Sequence, residues 1–133
     1  MKGVLDTNVF ISGIFWEGNF CSQVIDKWRK GEFDLISSEE LIEELVKTLK
    51  CFKIQLDEET IVNWRNIIIG NAIIVETSER LEIIKEDSDD NKFLETAIAG
   101  KADFIISQDN HLLKLREFHG IKIITPEEFC ARN

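Results

Sequence analysis

One proline and seven glycines in 133 residues leave little room for disordered linkers. No internal repeat or low-complexity stretch is visible, and the length suits one domain spanning residues 1–133. Cysteine is scarce as well. Cys21, Cys51 and Cys130 are odd in number and far apart, and no pair has the spacing of zinc ligands. They are expected to be reduced, mostly buried thiols of a cytoplasmic protein. No apolar run reaches membrane-spanning length, and Met1-Lys2 leads straight into a short apolar run rather than a signal peptide. A soluble protein without membrane contact is expected. Basic residues are outnumbered 16 to 25, for a net charge of −9. Taken alone, that weighs against a nucleic-acid partner, which favours basic surfaces.

What is there reads as α/β. Residues 3–5, 33–36, 72–75, 104–106 and 122–124 form short, near-continuous apolar runs, the pattern of strands buried on both faces. Helix-length segments with apolar residues at helical spacing lie between them, at 21–30, 39–52, 58–69 and 91–101. Ser37 with Glu40 suggests a capping box, Asp57 a cap, and Thr125-Pro126-Glu127-Glu128 a cap followed by proline and a box glutamate. Strands alternating with helices imply a parallel sheet covered on both sides. The aromatic stretch holding Phe10, Phe15, Trp16 and Phe20, with Gly13 and Gly18, reads as an apolar loop. Core packing is expected for Phe10 and an interface for Trp16.

In such a sheet, ligands bind beyond the carboxyl ends of the strands. Asp6 directly follows the first strand, in Val4-Leu5-Asp6-Thr7-Asn8, and Asp109 lies just past the fourth, in Ser107-Gln108-Asp109. Asp87, Asp89 and Asp90 precede the fourth helix, and Glu39, Glu40, Glu43 and Glu44 line the second. Each has a plain explanation: Asp87 to Asp90 in a first turn suit the helix dipole, and Asp109 can cap a short helix at His111-Leu112-Leu113. Asp6 is hardest to explain that way, because a carboxylate at the end of a central strand is costly unless something satisfies it. Several carboxylates on one edge would repel one another unless divalent cations sit among them. Oxygen ligands suit Mg²⁺ or Mn²⁺, and such ions can activate water for phosphodiester hydrolysis. Thr7, Asn8 and Ser107 are placed to orient the carboxylates.

Four segments together resemble a PIN-domain ribonuclease of the kind found as the toxin of VapBC-type toxin–antitoxin pairs. They are Val4-Leu5-Asp6-Thr7-Asn8, SEELIEELVKTL at 38–49, DSDDNKFL at 87–94 and ADFIISQDNHLL at 102–113. Their order and spacing fit essentially the whole chain. The resemblance implies a three-layer α/β/α PIN-like fold with a central parallel sheet of about five strands. It places the family's four acids at Asp6, Glu44, Asp90 and Asp109, with the accompanying asparagine at Asn8 and the small hydroxyl at Ser107. Spacing alone does not choose between Glu43 and Glu44, which flank the apolar face of one helix; the motif favours Glu44. His111 stands where similar sequences often have a further acid, and Gln108 where glycine is common. The implied activity is endonucleolytic RNA cleavage dependent on Mg²⁺ or Mn²⁺, with a small antitoxin protein and a homodimer as further expected partners.

Four site carboxylates and two divalent ions would roughly cancel, which softens the charge conflict. RNA would still need cations, and Lys47, Lys50, Lys53, Lys92 and the cluster Lys27, Arg29 and Lys30 are the candidates. A receiver-type signalling domain fits poorly, because the first strand has Thr7 and Asn8 where a second acid is expected and no lysine follows the last strand. A phosphotransferase of the Asp-x-Asp type fails on Asn8. A PIN-like module that binds RNA or protein without cutting is the remaining rival.

Overall fold

A computed structural model describes residues 1–77 and 91–132 of the chain. Its order of elements begins with β1 (Lys2–Leu5), α1 (Thr7–Phe15), α2 (Phe20–Arg29), β2 (Asp34–Ser37), α3 (Glu39–Cys51), α4 (Glu58–Asn71) and β3 (Ala72–Ile74). It continues with α5 (Asn91–Ala99), β4 (Phe104–Ile106), α6 (Asn110–Leu113), β5 (Glu117–Phe118), β6 (Ile121–Ile124) and α7 (Pro126–Ala131). Among the described residues the strands form one sheet in the order β3-β2-β1-β4-β6-β5. All neighbours are parallel except the β5–β6 pair. The sixth strand goes beyond the five expected. It is only two residues long and returns to β6 through a turn in which His119 and Gly120 both have positive φ, so it carries no apolar run.

Alternation along the strands separates two cores. Leu5, Leu35, Phe104, Ile106 and Ile124 face one side, with Val9 and Phe10 of α1, Val24 and Trp28 of α2 and Phe129 of α7. Val4, Ile36, Ile105 and Ile123 face the other, with Phe93, Leu94 and Ala97 of α5 and Leu112 of α6. The result is a three-layer α/β/α arrangement with β1 in the middle of the sheet. Phe33, Phe104 and Phe129 pack ring against ring, with centroids 5.0 to 5.6 Å apart. Gly3 of β1 lies directly under them: a Cβ there would meet Phe104 Cε2 at 2.1 Å.

Residues 7–15 are helical rather than a loop. Phe10 is buried as expected, and Trp16 is 45% exposed. Gly13 does not break α1, because its role is close approach: a Cβ would meet Ile25 Cδ1 at 2.4 Å and the Cys21 carbonyl oxygen at 2.9 Å. The second-helix cap is Ser38, whose hydroxyl accepts from the Leu41 N–H, one residue later than the capping box expected at Ser37. Asp57 and Thr125 cap as expected, the latter in a full capping box. Of the three cysteines, all free thiols, only Cys21 is buried; Cys51 is exposed because its side of α3 faces solvent. Among the described residues no helix is long and apolar enough to cross a membrane.

Candidate active site

Parallel pairing sets the site. Leu5 of β1 lies opposite Ile106 of β4, so both strands end at the same level and the chain leaves them side by side. Asp6 and Ser107 are the next residues on each. The Asp6 N–H still bonds the Ile106 carbonyl at 3.0 Å, which fixes the Asp6 backbone as an extension of the sheet. Its side chain turns back to cap α1, accepting the Asn8 N–H at 3.2 Å on Oδ1. The other oxygen, Oδ2, accepts the Ser107 hydroxyl at 2.6 Å.

Ser107 is completely buried and links the two strand ends. Its Oγ also accepts the Asp109 N–H at 2.9 Å. Asp109 caps α6, taking the His111 N–H at 2.7 Å on Oδ1. The third carboxylate arrives from α3. Leu41, Ile42, Leu45 and Leu49 point that helix into the core, which leaves Glu43 exposed and Glu44 half-buried. Thr7, one residue past Asp6, donates its hydroxyl to Glu44 Oε2 at 2.5 Å. Two short chains of bonds therefore radiate from Asp6, one through Ser107 to Asp109 and one through the adjacent Thr7 to Glu44.

Asp6 is only 3% exposed. Burial pushes its pKa above the ordinary aspartate value, and the nearby charges of Asp109 and Glu44 push the same way, against the lowering effect of the bonds from Ser107 and Asn8. Among the described residues no lysine, arginine or histidine forms an ion pair with it. A buried carboxylate that is crowded by like charges and lacks a cationic partner is the environment a hard cation relieves. The donors are all oxygens, which suits magnesium or manganese. Among the described residues alone, no three acidic, imidazole or thiol side chains close into a set able to hold an ion. Asp90, the fourth acid expected from sequence, lies outside the described residues, as do Asp87 and Asp89.

Other expected residues fall in different places. Asn8 contributes its backbone N–H to Asp6 while the residue itself is exposed. His111 stands in the first turn of α6 with Nδ1 at 3.7 Å from Asp109 Oδ1. Lys27 pairs with Glu32 at 3.7 Å, and the Arg29 guanidinium lies 5.8 Å from the centre of the Trp64 ring. Lys92 is the feature that spacing did not reveal in full. Its Nζ is 2.5 Å from Glu44 Oε1, so a residue named only as an RNA contact reaches into the acidic edge. The two lie 48 positions apart, and only the packing of α5 beside α3 joins them. Lys92 and Glu44 open onto a cleft of about 550 Å³ that Lys47, Thr48 and Phe52 also line.

Comparison with known proteins agrees with this architecture. A family model described as PIN domain matches residues 2–111. An uncharacterised protein of Methanocaldococcus jannaschii is 26% identical over 97% of this chain and 89% of its own length. Among solved structures, VapBC2 from Rickettsia felis, bound to a DNA fragment from its promoter, superposes with a TM-score of 0.63 at 14% identity. That match covers 94% of this chain and 98% of the other.

Proposed function

We propose, from the premise that this chain belongs to the PIN domain family, that it is an endoribonuclease dependent on Mg²⁺ or Mn²⁺ and the toxin of a toxin–antitoxin pair. The observation that carries the reading is the buried Asp6 at the end of β1, tied through Ser107 to Asp109 beyond the end of β4, with Glu44 of α3 bonded to the neighbouring Thr7. These three, with Asp90, would hold the ion, which when bound polarises the attacking water and offsets charge on the phosphodiester. Ser107 holds Asp6 and the Asp109 backbone in register, and Thr7 fixes the rotamer of Glu44, so the carboxylates are oriented before anything binds. The burial of Asp6 keeps bulk water from screening its charge. No side-chain nucleophile is needed. Lys92 and Lys47 line the adjoining cleft beside Glu43 and Glu44 and would supply the cations a phosphate backbone needs despite the net charge of −9.

A second surface supports the expected protein partners. Ile42, Val46, Ile69 and Ile74 line an apolar cleft of about 600 Å³ between α3, α4 and β3, with a mixed rim of Glu39, Glu43, Lys47, Lys50 and Arg65. Val62, Ile69, Ile73 and Ile74 are each more than 40% exposed nearby. Such a patch is typical of an interface, and an antitoxin segment or a second copy of the chain would bury it. The decisive test of activity is incubation with a structured RNA in Mg²⁺, in Mn²⁺ and in EDTA, beside Asp6→Asn. Cleavage requiring the metal and lost in the variant is the expected result. Equal cleavage by the variant would assign the activity elsewhere.

A further inference from the structure

We propose that Lys92 is a displaceable cation of the acidic edge: it occupies Glu44 while no divalent ion is bound and is freed to hold the phosphate backbone of the substrate once one binds. The inference rests on the metal-dependent reading of the site and adds an order of events to it. Both oxygens of Glu44 are taken in the structure, Oε2 by the Thr7 hydroxyl and Oε1 by the Lys92 ammonium at 2.5 Å. An ion approaching Glu44 therefore competes with a positive charge already in place, and the two repel at close range.

The pairing is built into the fold. Thr96 lies four residues beyond Lys92, on the same face of α5. Its hydroxyl meets that of Ser38, the cap of α3, at 2.9 Å in a fully buried contact. This bond and the apolar packing around it hold α5 beside α3 and bring the ammonium to Glu44. The Lys92 side chain is 20% exposed and that of Glu44 25%, so the ammonium can swing outward without disturbing the core. The cleft it would swing into is the one it shares with Lys47. Sequestration by Glu44 leaves Lys92 unavailable to phosphate in the metal-free protein, which would link the grip on substrate to occupancy of the site.

The test uses the full chain and three variants, Lys92→Met, Lys92→Arg and Glu44→Gln. Mn²⁺ alone is titrated calorimetrically, and a short phosphorothioate-linked RNA of mixed sequence is titrated by anisotropy in Mn²⁺ and in EDTA across a salt series. Lys92→Met should bind Mn²⁺ roughly two- to fivefold more tightly, the equivalent of one exposed ion pair released from competition. Its RNA affinity in Mn²⁺ should fall, with the slope of log affinity against log salt shallower by about 0.7. In EDTA the same substitution should leave that slope unchanged. Lys92→Arg should keep the wild-type slope in Mn²⁺. Glu44→Gln should bind the RNA more tightly than wild type in EDTA, because Lys92 is then released from the Glu44 carboxylate; this arm stands even where Lys92→Met folds poorly. Unchanged or weaker Mn²⁺ binding by Lys92→Met, while wild type binds the ion, overturns the displacement alone. Absence of Mn²⁺ binding by wild type overturns the metal-dependent reading and the displacement with it.

Discussion

Replacing Asp6 by asparagine should shift stability in favour of the variant as pH rises from 4 to 8 in the metal-free protein, while abolishing its activity. Asp6 is 3% exposed, and its raised pKa means that ionisation in the folded state is unfavourable. Asparagine keeps the shape and is itself a good helix cap, so the Asn8 N–H retains an acceptor and the ionisation cost disappears, but the amide presents an NH₂ where Oδ2 accepts the Ser107 hydroxyl, so that buried bond is lost. Each unit by which a folded-state pKa exceeds the unfolded one corresponds to about 1.4 kcal/mol. The lost Ser107 bond costs about 1–3 kcal/mol at every pH, so only the ionisation cost varies with pH, and its removal favours the variant at neutral pH. The sign follows from linkage. Below the unfolded aspartate value of about 3.9 the group is protonated in both states and carries no penalty. As pH rises through the interval up to the raised folded value, the wild type loses stability relative to the variant; above it the difference is constant. Thermal melts of both proteins in EDTA from pH 4 to pH 8 measure this. Saturating Mn²⁺ should then favour the wild type, since an ion at a hundred times its Kd adds about 2.7 kcal/mol to whichever protein binds it. A stability difference that does not move in the variant's favour between pH 4 and pH 8 in EDTA would refute the reasoning.

Glu44→Gln should lower cleavage by more than the roughly 10–100-fold that loss of an outer partner costs, whereas Glu43→Gln, at an exposed position, should leave it near wild type; initial rates on one RNA compare them. Ser107→Ala removes the bridge from Asp6 to the Asp109 backbone, and should weaken Mn²⁺ binding about 10–100-fold and cost about 1–3 kcal/mol by urea denaturation. Gly3→Ala forces a methyl against the Phe104 ring and should destabilise the fold by about 1–3 kcal/mol, read from the same denaturation curves.

The sheet was legible because parallel strands buried on both faces leave continuous apolar runs, and five of the six described strands have them. β5 has none: Glu117 and Phe118 become a strand only because the following turn folds them back on β6. The helix after β1 was hidden by Gly13, which looks like a breaker in the sequence but exists for the approach of α1 to α2. Its cap was hidden as well, because Asp6 both caps α1 and faces the acidic edge. The convergence of Asp6 and Asp109 could be read from topology, since both follow parallel strands. The motif favoured Glu44 over Glu43, but the bond from Thr7 to Glu44 and the exposure of Glu43 depend on the rotation of α3 about its apolar face. The pairing of Lys92 with Glu44 required the packing of α5 on α3, a contact that no local pattern encodes.

Central to the proposed activity is a cation at the edge where β1 and β4 end. The most direct measurement is anomalous scattering at the manganese edge from crystals grown with MnCl₂. A peak bounded by the carboxylates of Asp6 and Asp109 is expected, with the Lys92 ammonium withdrawn from Glu44. Crystals in which manganese is absent from this edge, with Lys92 still on Glu44 at saturating metal, would contradict the proposal.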